Sequence, residues 1–218
     1  MDHFASLERQ TAPARERLQA TPLIRRALDG DVSRRQYLAF LGEAYHHVSH
    51  TVPLLMACGS RLPSRLEWLR EAVVHYIGEE YGHQDWIAND IAAAGGDAEA
   101  VREGRPKPAT ELMLAYAYDT IARRNPVGLF GMVYVLEGTS VTVASHVAHR
   151  LRASLDLPAT AFTYLDSHGA LDREHIEYFR KLVNRLDDPD DRAALVHCAE
   201  IFFRLYGEVI ASAEGTGA

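Results

Sequence analysis

The chain has 218 residues, 47% hydrophobic and 24% charged, with a formal net charge of -7. That acidic balance excludes the basic footprint of a nucleic-acid-binding protein, so neither DNA nor RNA is expected as a partner. Two cysteines, Cys58 and Cys198, with no Cys-x-x-Cys pairing exclude a disulfide framework and a thiolate-rich zinc site.

The length suits one domain over residues 1–218. The first residues, Met1 to Arg9, show no basic stretch followed by an apolar one, so a cytoplasmic location is expected. The longest apolar stretch, Val127 to Leu136, is too short to cross a bilayer, and no membrane partner is expected.

Strand signals are nearly absent, and the chain reads as helices throughout. A first helix covers Phe4 to Leu18, and Thr21-Pro22 opens a short second one that stops at Gly30. Ser33 caps a third, with Tyr37, Leu41, Tyr45, Val48 and Val52 at helical spacing until Pro53 weakens or kinks it. Pro63-Ser64 opens a long helical segment, Arg65 to Ala94, which Gly95-Gly96 ends. After a polar connection, Ala109 to Arg124 and Val127 to about Leu155 form two more, separated at Asn125-Pro126. Pro158 begins a short piece to Leu165, Asp172 lies in a helix running to Leu186, and Asp188-Pro189 starts the last, to about Ala213.

Four of these helices carry candidate metal ligands. At about 100° per residue, His168, Asp172 and His175 fall within a wedge of roughly 60° on one helix face. Glu43, His47 and His50 repeat the same spacing on the third helix. Glu80-x-x-His83 has the spacing by which bundle helices hold iron or manganese. Glu137 interrupts the most apolar passage of the chain, where an unpartnered carboxylate would cost several kcal/mol or take up a proton. A cation would satisfy it. Glu43, Glu80, Glu137 and Asp172 would balance two Fe(II) ions, with His83, His168 and His175 neutral. Carboxylate with imidazole and no thiolate is the ligand chemistry of non-haem iron or manganese.

The order Glu80-x-x-His83, then Glu137 in an apolar helix, then His168-x3-Asp172-x2-His175 resembles the haem-oxygenase-like diiron oxidases and oxygenases. These are related in fold to TenA-type thiaminases and pyrroloquinoline-quinone synthase. Pro22-Leu23-Ile24 through Gln36-Tyr37-Leu38 is similar to the opening segment of the TenA superfamily, and Tyr45-His46-His47-Val48 stands where those proteins have pocket residues. The resemblance implies an all-α, haem-oxygenase-like (TenA-like) bundle of about seven helices. It implies an iron-dependent oxidoreductase with two Fe(II) per chain and O2 as co-substrate, and the ligand set is compatible with weak occupancy of the second site.

Such enzymes carry out oxidative carbon–carbon cleavage, decarboxylation, desaturation or N-oxygenation of small molecules. Carried over, Glu80, His83, Glu137, His168, Asp172 and His175 are ligands, with Glu43 or His47 completing the set; Glu137 and His168 are the expected catalytic residues. Asp85, Tyr134 and Tyr164 are candidate partners for the imidazoles, and Tyr76, Phe130, Tyr134 and Phe162 candidate pocket aromatics. Thr21 stands where haem oxygenases have a histidine before the proline, which speaks against a haem ligand there. No cysteine lies near Glu137, so the thiaminase nucleophile is missing.

Three rival readings remain open: a ferritin-like diiron protein, a metal-free enzyme like the quinone synthase, and a non-catalytic binding or regulatory protein. A homodimer is expected of a small helical enzyme.

Overall fold

Apolar side chains recurring every three to four residues give the longer helices one buried stripe, and these stripes pack into a common core; eleven α-helices occur among the described residues. The computed structural model describes residues 2–214, and for residues 168–174 the backbone alone. In order the helices are α1 (His3–Gln19), α2 (Pro22–Asp29), α3 (Arg34–Val48), α4 (Thr51–Arg61), α5 (Glu67–Glu80) and α6 (His83–Ala93). Then come α7 (Ala98–Glu103), α8 (Pro108–Arg123), α9 (Leu129–Leu155), α10 (Thr163–Arg185) and α11 (Pro189–Ser212). No strand occurs among the described residues, as an all-α bundle requires.

The helix count exceeds the expected seven or so because two segments break. Pro53 does not end α3; it sits in the first turn of α4, where a missing N–H costs nothing, so the break falls earlier, at Ser49-His50. The segment from Arg65 to Ala94 is interrupted at Tyr81-Gly82, where Gly82 takes a left-handed φ of 93° that a side chain would strain. The polar connection after Gly96 also holds the short α7.

Helix α9 is the central element. It packs on α2, α8, α10 and α11, and its pairing with α10 is the most extensive in the molecule. By length and hydropathy it would suffice to cross a membrane, beyond what Val127 to Leu136 alone suggested, yet its window is 61% buried inside the protein. Gly131 lets α9 approach α11 closely: a Cβ there would stand 2.6 Å from the Ala199 amide nitrogen.

Of the helices that begin without a capping side chain of their own, two borrow one from far away. The amide of Lys107, at the start of α8, donates to Glu43 Oε2 at 3.1 Å, and the Thr110 hydroxyl donates to the same oxygen at 2.5 Å. At the start of α10, Asp90 accepts from the Thr163 amide at 3.1 Å and the Tyr164 amide at 2.9 Å, and also from the Thr163 hydroxyl. Negative charge on exposed N–H groups at a helix start is favourable, so α3 and α6 fix where α8 and α10 begin. Burial raises the Asp90 pKa, and those hydrogen bonds oppose it.

Candidate metal centre and cavity

A cavity of about 160 Å³ lies along α9, enclosed by α2, α3, α4, α5, α10 and α11, and receives Glu80 and Glu137 on its wall. Glu137 comes from the buried face of α9, 8% exposed, because the sequence places it in step with the apolar residues Phe130, Tyr134 and Ala144. Among the described residues no lysine or arginine lines the cavity, and two carboxylates face its largely apolar space.

His175 approaches Glu137 from α10, its Nδ1 3.7 Å from Glu137 Oε1. On the opposite edge of the ring, Nε2 stands 3.3 Å from Glu79 Oε2, while Glu79 Oε1 stands 3.3 Å from Nε2 of the half-exposed His75. A ring held by a carboxylate at one nitrogen presents the other in a set direction, as carboxylate–histidine–metal arrangements do.

Glu80 and His83 meet with Oε2 and Nδ1 3.1 Å apart, although not on adjacent turns of one helix as expected. Glu80 ends α5 and His83 begins α6, so the turn through Gly82 brings them together. His83 is buried and stacks on Trp86, ring centroids 4.0 Å apart.

Tyr76 links the two pairs. Its ring stands edge-on to that of His175 at 6.2 Å, and its hydroxyl is buried without a hydrogen-bond partner among the described residues. Burial above all, and then the charges of Glu137, Glu79 and Glu80 among its neighbours, push its pKa up, so it stays protonated. An orphaned buried donor beside carboxylates and imidazoles marks a place where a further polar group belongs.

The structure thus pairs Glu80 with His83 and Glu137 with His175, and the glutamate of each pair lines the cavity. His168 and Asp172 stand on the same helix as His175, but their side chains lie outside the described residues. Between the two alternatives on α3, His47 is on the cavity wall and Glu43 is not; Glu43 is the α8 cap. Among the described residues no group of three or more histidine, cysteine, aspartate or glutamate side chains gathers closely enough to cage a metal. The donor set nonetheless fits iron in kind, being buried carboxylate and imidazole with a carboxylate behind His175.

Of the candidate pocket aromatics only Tyr76 lines the cavity; Phe130, Tyr134 and Phe162 are core. Tyr134 receives a hydrogen bond from Arg15 at 3.2 Å and stacks on Phe179, so it does not serve an imidazole. Asp85 faces Arg102 at 3.9 Å instead, whereas Tyr164 does line the cavity. Two residues outside the expected ligand set stand at the site. Glu79 was overshadowed by the Glu80-x-x-His83 spacing, although its position four residues after His75 was a signal. Tyr206, edge-on to His47 at 5.8 Å and lining the cavity, left no signal because it continues the apolar and aromatic stripe of α11 in step with Phe202, Phe203 and Val209.

Solved structures share this architecture. A haem-oxygenase-like protein of unknown function from Shewanella denitrificans superposes with a TM-score of 0.86 at 25% identity, over 97% of this chain and 91% of that one. Haem oxygenase-2 from Synechocystis sp. PCC 6803, in complex with haem and NO, gives 0.79 at 18% identity over 98% and 86%. A TenA homologue from Pseudomonas syringae pv. tomato gives 0.78 at 15% over 96% and 91%. No curated protein matches the sequence. A family model described as an iron-containing redox enzyme matches residues 38–207, which include the α3, α5, α6, α9 and α10 positions described above. The chain therefore has the haem-oxygenase-like helical fold and belongs to this family of iron-containing redox enzymes.

Proposed function

We propose that the protein is a non-haem diiron enzyme that uses O2 to oxidise a small molecule. The observation that carries this reading is the pairing of His175 with Glu137 beside an apolar cavity that Glu80 also lines. Glu80, His83, Glu137 and His175, with His168 and Asp172 from α10 and His47 from α3, would hold the two ions. Bound ferrous iron supplies the one-electron chemistry that couples O2 to substrate oxidation, while the protein orients and shields.

The chain's own residues have distinct tasks. Glu79 fixes the His175 ring, so that Nδ1 faces the cavity side. Glu137 contributes negative charge at the boundary between the polar and apolar parts of the wall. Tyr76 keeps its proton and offers it as a hydrogen-bond donor to an anionic group in the cavity. The aliphatic wall excludes water, which strengthens every electrostatic contact inside.

Anaerobic loading with Fe(II), metal analysis and then exposure to O2 test the proposal. Two iron ions per chain are expected, as in di-iron helical bundles with carboxylate and histidine ligands, and a transient visible band after O2 is added. Glu137→Ala and His168→Ala should each abolish the band. Failure of the wild-type protein to retain iron, with no O2 consumed, would overturn the reading in favour of a metal-free enzyme.

A further inference from the structure

We infer that His75 and Glu79 form an outer capture point on α5, from which a divalent ion passes to His175 and so enters the metal centre; the inference rests on the iron-binding reading proposed above. The cavity itself is a poor route for such an ion. Its wall is largely apolar, and a hydrated dication drawn along it would lose water with few donors in exchange. From His175, by contrast, a file of donors leads outward. Side-chain exposure rises along it from 8% at His175 through 33% at Glu79 to 51% at His75. Its inner end is Glu137, whose Oε1 stands 3.7 Å from Nδ1 of the same His175 ring.

The spacing along the file suits a shared ion. Two donors that hold one ion at about 2.1 Å each stand roughly 3.0 Å apart in octahedral and roughly 3.4 Å apart in tetrahedral geometry. His75 Nε2 lies 3.3 Å from Glu79 Oε1, and Glu79 Oε2 lies 3.3 Å from His175 Nε2. Glu79 Oε2 is buried and makes no aligned hydrogen bond with a described residue, so it has lone pairs to give. One carboxylate therefore spans a position at the surface and a position inside. With two protein donors, the outer position leaves the rest of the coordination to water and holds an ion loosely, as transfer requires. The His75 ring is restrained by Tyr178 of α10, edge-on with centroids 5.0 Å apart. Glu71, exposed one turn before His75, adds a negative charge that reaches Tyr178 together with that of Glu79, and this charge draws cations to the spot.

Anaerobic mixing of the metal-free, full-length protein with Fe(II), with unbound ion sampled over time by a chromogenic ferrous chelator, reads loading rate and final stoichiometry separately. His75→Phe keeps a ring against Tyr178 but has no donor. Its loading should slow about tenfold, the lower end of what focused charge adds to an on-rate, with final stoichiometry and circular dichroism unchanged. His75→Glu gives up the ring contact but keeps a donor, and should load near the wild-type rate. A His75→Phe variant as fast as wild type, or a slow His75→Glu, overturns the inference, as does a variant that loads fast yet holds less iron. Wild-type protein that takes up no iron overturns the underlying metal reading as well, so the wild-type trace alone tells the two failures apart.

Discussion

Glu43 and Glu137 are both buried glutamates on helices, 5% and 8% exposed, and both are candidate ligands by sequence. Their surroundings make them different residues. Glu43 meets the amide of Lys107 and the hydroxyl of Thr110, so its charge is spent on starting α8. Glu137 meets an imidazole and opens on a cavity that no lysine or arginine lines among the described residues. A buried carboxylate must have a partner, and the kind of partner decides whether it supports the fold or the chemistry.

The sharpest way to break this contrast is Glu137→Ala. Iron affinity should fall by more than about a hundredfold, beyond the usual loss from an outer-shell partner, with the thermal midpoint little changed. Iron titration and circular dichroism read the two quantities side by side.

Glu43→Ala should do the reverse. Removing a cap and leaving buried donors unpaired costs about 2–3 kcal/mol in denaturant unfolding, with the iron stoichiometry unchanged. A variant that keeps its stability but loses iron would put Glu43 among the ligands and erase the distinction.

Glu79→Gln sharpens the Glu137 side. It keeps the shape beside His175 but removes the charge, and iron affinity should drop roughly 10–100-fold while stability holds. Competition with a chelator of known affinity measures the shift.

Asp191 offers a third buried carboxylate, of the Glu43 type, at the start of α11. Burial raises its pKa, but the hydrogen bonds from Arg65 and Asn125 and the Arg65 charge together outweigh that and leave it below the ordinary 3.8. Because the folded value is the lower one, its contribution is present above about pH 4 and is lost as pH falls through the depressed folded value. Asp191→Asn should cost about 1 kcal/mol near neutrality, and the gap from wild type should close in acid-unfolding curves. Iron uptake should be unaffected.

Much of the fold was legible because it is local. The 3.6-residue repeat, Thr21-Pro22 before α2, the Ser33–Gln36 capping box and the left-handed Gly30 and Gly95 mark helix bodies and ends within a few residues of themselves. Part of the site was legible for the same reason: a lone glutamate in the apolar run of α9 and an imidazole on α10 at helical spacing from other donors. The break at Gly82 was hidden, since apolar residues continue in step on both sides of it.

What the sequence determined by itself is therefore which side chains share a helix face: His175 with its neighbours on α10, Glu137 with the core face of α9, and Glu43 with His47 on α3. Only the tertiary structure decided which face meets which. Glu43 is 64 residues from the amide it caps and Asp90 is 73 from its own, so no local pattern reports either contact. Helical periodicity fixes direction around an axis, whereas the identity of a partner depends on how the axes pack, which is set by the whole core at once.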